Sequence, residues 1–194
     1  MAIRKDIPDF YPETRQQWRE WLAENHADTT GIWLIYYKKH TGMPSVTYND
    51  AVEEALCFGW IDSVVNKLDT ERTKQYFSPR KPQSSWSKSN KDRIIRLLAS
   101  NSMAEAGLAK IAVAKQDGSW TRYDAVEALE IPDDLQQALE ANPAARQHFE
   151  AFAPSARKII LWWIISARRP ETRQKRIDKT VAMAAQNRKA NSDR

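Results

Sequence analysis

The sequence predicts an α+β protein: a small, mainly antiparallel sheet of about three strands flanked by helices, followed by an all-helical C-terminal domain. Three observations predict it. Residues 32–37, 60–65 and 74–78 are short runs rich in β-branched and aromatic side chains, which is strand composition at strand length. Between and around them apolar residues recur three and four apart, the helical period. From Ile131 onward the pattern is helical throughout.

Taken in order, Pro12 and Glu13 read as the first turn of a helix, because proline lacks only an N–H that a helix start leaves unpaired and an acid meets the positive dipole end. Trp18, Trp21 and Leu22 follow at helical spacing, and Asp28-Thr29-Thr30-Gly31 breaks the helix. Residues 32–37 form a strand covered on both faces, and 38–44 a loop. A second helix runs from Asn49 or Asp50 as cap through Ala51, Val52, Ala55, Leu56 and Cys57 to Gly59, its left-handed terminator.

Residues 60–65 are a strand with Trp60, Asp62 and Val64 on one face and Ile61, Ser63 and Val65 on the other. Residues 66–73 turn the chain, and 74–78 return as a third strand until Pro79, which cannot donate to a ladder. Residues 79–87 are a loop by composition. Ser89 and Asp92 resemble a capping box for a helix carrying Ile94, Ile95, Leu97 and Leu98, and another helix spans 103–115. Helices then cover 135–141, 144–152, 155–168 and 171 to about 186. The chain is thus expected to divide into an α+β domain over 1–125, a basic helical domain over 126–188 and a disordered tail over 189–194.

The 194 residues suffice for real cores, and eight Trp against five Gly point to large aromatic side chains in the packing. Charge is uneven. From Arg157 to the end there are eleven Lys/Arg against three acids, leaving 19 basic and 22 acidic residues before it, so the net charge of +5 belongs to the C-terminal helices. One cysteine excludes an internal disulfide, the N-terminus has no basic-then-apolar leader, and no apolar run approaches a bilayer span, so a cytoplasmic protein is expected.

His26, His40 and His148 are isolated from one another and from other metal ligands, so no metal and no cofactor is expected. No phosphate loop, nucleophile elbow or HExxH appears. Cys57 sits where helix carbonyls disfavour a thiolate and reads as a small buried hydrophobe. Asp62 must point to water or find a donor. One reading pairs it structurally with Arg80 or with backbone, fixing the hairpin. The other makes a pocket for a small polar ligand, with Trp60 and Trp86 as walls and Asp62, Arg80, Ser87 and Asn90 as polar points. In the last helices Arg168, Arg169, Arg173, Lys175 and Arg176 form a solvated basic face or a polyanion site, with nucleic-acid binding weak and indifferent to sequence.

The segments Gly31-Ile32-Trp33-Leu34, Tyr48 through Ala55-Leu56-Cys57-Phe58-Gly59-Trp60-Ile61-Asp62-Ser63, Phe77-Ser78-Pro79-Arg80 and Ser85-Trp86-Ser87-Lys88-Ser89-Asn90 resemble the YdeI/OmpD-associated family. The stretch from Leu135 to Ile177 is similar to that family's small helical domain. The resemblance implies a bacteriocin-protection role, tolerance of cationic antimicrobial peptides, and no reaction or catalytic residues to carry over. The expectation is therefore a cytoplasmic stress-tolerance protein acting as a binding or partner module. The alternatives are an enzyme acting on a small anionic or glycan-like substrate through Asp62 and Arg80, and a weak nucleic-acid-binding module.

Overall fold

The computed structural model describes residues 7–191. The chain divides into two compact units, Met1–Thr121 and Arg122–Arg194. The first contains strands β1 (Asp9–Phe10), β2 (Ile32–Tyr37), β3 (Trp60–Lys67) and β4 (Arg72–Pro79), with helices α1 (Arg15–Asn25), α2 (Tyr48–Cys57), α3 (Lys88–Ala99) and α4 (Glu105–Gln116). The sheet order is β1-β2-β4-β3, with β1 parallel to β2 and the other pairings antiparallel. The two-residue β1 is the strand that composition does not reveal. It is held by Trp33 N–H donating to Pro8 O at 2.9 Å, and it makes the sheet mixed.

Three helices of the first unit start two or three residues away from the sequence-based positions, each at a hydroxyl cap. Thr14 caps α1 by accepting from Gln17 N, so Pro12 and Glu13 precede the helix. Thr47 caps α2 by accepting from Asp50 N, in place of Asn49 or Asp50. Ser87 caps α3 by accepting from Asn90 N, two residues before Ser89. Gly59 does end α2 in the left-handed region, at φ 72°.

The alternation expected along β3 breaks. Asp62 pairs with Phe77 and Val65 with Gln75, so an extra residue bulges between them. Trp60, Asp62 and Val65 therefore lie opposite the inward residues of β4, while Val64 joins the wall of a cleft formed with Tyr76 and Ser78.

The core of the first unit gathers Trp18, Leu34, Leu56, Trp60, Phe77 and Trp86, all buried. Buried indoles keep their N–H groups paired: Trp18 Nε1 donates to Ala51 O at 3.0 Å, and Trp60 Nε1 to His26 O at 3.2 Å. A buried acid joins α1 to α2. Glu54 is 2% exposed, and its two oxygens accept from Arg15 Nε and Arg19 Nη1, a pair of arginines one helical turn apart. α4 crosses the end of α2 at Gly107, where an added Cβ would lie 2.2 Å from Cys57 O.

The second unit is helical: α5 (Asp124–Glu127), α6 (Asp133–Glu140), α7 (Pro143–Ala151), α8 (Pro154–Ile165) and α9 (Pro170–Ala185). Three of these open on proline, which costs nothing where the N–H has no partner. Leu135, Leu139, Phe149, Ile160, Leu161 and Ile164 form its core. Ala190, within the expected tail, is buried in that core, and residues 192–194 lie outside the described residues. Asp134 in α6 accepts from Arg173 in α9 at 2.6 and 2.9 Å.

Gly107→Ala is expected to lower stability by about 2 kcal/mol despite alanine's better helix propensity, because backbone stands where the methyl must go. Urea denaturation of the two proteins measures it. The hydrogen bond from Arg173 holds the Asp134 carboxyl below its usual range. Its stabilising contribution is therefore present above the ordinary carboxylate pKa and lost as the pH falls through the lowered folded-state value. Arg173→Gln should cost less than about 1 kcal/mol at neutral pH, since both partners are partly exposed, and nothing in strong acid. Thermal melts across acidic pH should show the two curves merging.

Candidate functional site

Asp62 lies two residues beyond Trp60 on the helix-covered face of the sheet, at the point where β3 begins to bulge. Its Oδ2 accepts from Gln75 Nε2 at 2.7 Å and from the Tyr48 hydroxyl at 3.2 Å. Both donors are neutral. Its Oδ1 accepts no hydrogen bond from the described residues, and the residue is half-buried. The structural pair with Arg80, one reading of the sequence, is thus not formed.

Two tyrosines feel the charge of Asp62. The Tyr36 hydroxyl is buried with no hydrogen-bond partner, and burial first, then the Asp62 charge, push its pKa up. Tyr48 is raised for the same two reasons, opposed by the positive charge of Arg93. Arg93 donates to Asn90 Oδ1 at 3.3 Å and to Asn49 Oδ1 at 3.0 Å, which brings the start of α3 alongside the start of α2. Asn90 thus contacts Arg93, whose charge reaches Tyr48, and not Asp62 itself.

Arg80 is 4% exposed and stacks on Trp86, its guanidinium carbon 3.6 Å from the ring centroid. Its Nη2 donates to Ser85 O at 2.7 Å, while its Nε is buried without a partner. Burial lowers its pKa to about 10, against a raising influence from Asp62. Arg80 is still a cation at neutral pH. It borders two cavities: a small one of about 90 Å³ shared with Trp86 and Lys110, and a cleft of about 830 Å³ walled by Asp28, Thr30, Ser63, Tyr76 and Ser78.

The six residues expected to line one pocket do not form a single group. Asp62 belongs to the polar group with Tyr48 and Gln75, Asn90 is bonded to Arg93 and makes no hydrogen bond to that group, and Arg80 and Trp86 form a stacked pair within reach of the Asp62 field. Ser87 serves as the helix cap. Trp60 is not a wall: at 0% exposure, edge-on to Trp21, it is core. Among the basic residues of the second unit, Arg173 is paired with Asp134, and Arg176 donates to Trp163 O and Ser166 Oγ. Arg168, Arg169 and Lys175 are exposed.

Tyr36, Tyr48, Gln75 and Arg93 escaped the sequence reading. Gln75 had a signal, a polar residue two positions from Phe77 on the inward face. Tyr36 alternates with Ile32 and Leu34 in the same way. Arg93 and Tyr48 are placed by helix packing, which no local pattern encodes. No three His, Cys, Asp or Glu side chains are grouped as metal ligands among the described residues.

Residues 128–187 match the family model described as Bacteriocin-protection, YdeI or OmpD-Associated. Residues 10–110, more than half the chain, match a second one described as a domain of unknown function, DUF8412. The chain belongs to the DUF8412 family and carries a YdeI/OmpD-associated domain. The Ala55–Ser63 motif and the Asp62 group therefore lie within the DUF8412 match, and the basic helices within the YdeI/OmpD-associated domain. No curated protein and no solved structure matches the chain. No helix among the described residues is long and apolar enough to cross a membrane.

Cys57 is fully buried, and burial, reinforced by the Glu54 charge, pushes its thiol up to about 11 against the opposing influence of Arg19 and Arg15. At neutral pH the thiolate is negligible. The native protein should react with a disulfide reagent such as dithionitrobenzoate only as fast as it opens, and at once in urea. Rapid stoichiometric labelling of folded protein would place Cys57 at an accessible site.

Proposed function

We propose that the protein is a cytoplasmic binding module of the bacteriocin-protection type, and that its first unit takes a small polar ligand, or a polar side chain of a protein partner, at Asp62. The observation that carries this reading is the state of that carboxylate: one oxygen anchored twice by neutral side chains, the other open. An acid kept only for the fold would use a cation to offset its desolvation. Here the nearby cation Arg80 is stacked on Trp86 instead. An open carboxylate oxygen on a rigid strand suits a hydroxyl or ammonium donor, because a charge-assisted hydrogen bond is about twice as strong as a neutral one. Membership of the YdeI/OmpD-associated domain supports the protective role.

Asp62→Asn keeps the shape and removes the charge. Since its partners Gln75 and Tyr48 are neutral and no bonded cation loses its counter-charge, the melting temperature is expected to move by only a few degrees. Survival of cells expressing the variant, challenged with a cationic antimicrobial peptide, should fall to that of cells lacking the protein. A large drop in melting temperature with full protection would make Asp62 a structural residue and refute the proposal.

A further inference from the structure

The second unit presents a helix that is apolar on both faces. Inward, α8 buries Ile160, Leu161 and Ile164. Toward solvent it carries Ile159, 51% exposed, beside Trp162 and Trp163, which pack partly against the core and leave the rest of their rings exposed. A helix of a soluble bundle ordinarily turns polar residues to that side. Basic residues border this face. Arg176 and Lys179 lie 5.2 and 5.9 Å from the centre of the Trp163 ring, and exposed Arg168 and Arg169 follow at the end of α8, with exposed Lys175 on α9. Arg168, Arg169 and Lys175 are in no ion pair with a described residue.

We propose that this face of α8 and the adjoining basic residues dock on an anionic lipid surface, with Ile159 and the tryptophans at the headgroup boundary and Arg168, Arg169 and Lys175 on the lipid charges. Tryptophan beside lysine and arginine is the composition of interfacial helices, whose binding adds buried apolar area to attraction for anionic lipid. Charge alone would suit a nucleic acid equally. The apolar part decides between them: exposed Ile159 gains nothing from phosphates and something from the acyl boundary. The docking is peripheral, consistent with helices too short to span. It is independent of the Asp62 site.

The test is cosedimentation of the intact protein with vesicles, either phosphatidylcholine alone or phosphatidylcholine and phosphatidylglycerol in equal parts. Pelleting is expected with the anionic vesicles only, and to weaken as salt rises. Each basic residue near such a surface contributes about fivefold, so the triple variant Arg168→Gln, Arg169→Gln, Lys175→Gln should bind on the order of a hundredfold more weakly. These residues are exposed and the variant is expected to fold, which its melting curve verifies. Ile159→Ser should weaken binding several-fold at unchanged melting temperature. Equal pelleting with neutral vesicles, unchanged binding by the triple variant, or tighter binding of duplex DNA or polyglutamate than of vesicles would each overturn the proposal.

Discussion

Three consecutive residues, Cys57, Phe58 and Gly59, hold the first unit together by where their backbone goes. Cys57 O accepts from Ala104 N at 3.1 Å, fixing the start of α4, and the same carbonyl leaves no room for a side chain at Gly107. Gly59, in the left-handed region, reverses the chain from α2 into β3, and its carbonyl accepts from Arg80 N at 2.9 Å, fixing the end of β4. Four elements are thereby tied to one turn. Because the constraints are backbone bonds and excluded volume, they do not depend on the Cys57 thiol. Its sulfur is small enough to sit where helices meet.

The same turn places the polar group. Once β3 starts at Trp60, the inward face admits Trp60 and then Asp62 before the bulge shifts the register. An aromatic core residue and a half-buried acid are thus adjacent on one face by geometry, and α2, returning above β3, brings Tyr48 to the acid. Arg80 begins just past the strand end that Gly59 fixes, so its guanidinium is committed to the interior and must find a flat partner there. Trp86 provides one, and the stack offsets part of the cost of burying a cation without a carboxylate. The arrangement keeps the acid and the base out of a direct ion pair, although each lies in the field of the other.

Much of this was legible in the sequence, and what was hidden has identifiable causes. Strand and helix positions followed from side-chain period, and Gly59 as a terminator followed from the need for a positive φ after Cys57. Asp62 was conspicuous because an acid amid Trp60, Ile61, Val64 and Val65 demands a partner. The identity of that partner was not legible: Gln75 and Tyr48 lie 13 and 14 residues away, brought near by strand pairing and helix return. The bulge was hidden because inserting one residue leaves composition unchanged. Helix starts were misread wherever two plausible caps stood together, as at Thr47 with Asn49 and Ser87 with Ser89, since only tertiary packing selects which turn begins the helix. β1 was hidden because two residues carry no period.

The two units use charge in opposite ways, and that difference bears on what each can do. In the first, Glu54 is buried between Arg15 and Arg19, with Asp50 and Glu53 also on Arg15 and Arg96 on Glu53. Buried ion pairs return little net stability after desolvation, but a carboxylate that must meet two guanidinium groups tolerates only one packing of α1 on α2. A unit fixed in this way can hold an open carboxylate oxygen in place. In the second, the pairs Arg173–Asp134, Arg146–Glu150 and Lys158–Glu127 have both partners partly exposed and none holds an acid as buried as Glu54, so they contribute little. Its stability rests instead on apolar packing and proline-started helices. Arg168, Arg169 and Lys175 take no part in those pairs, so the fold has no use for their charge, and a surface whose charge the fold does not use is free to be matched by something outside it.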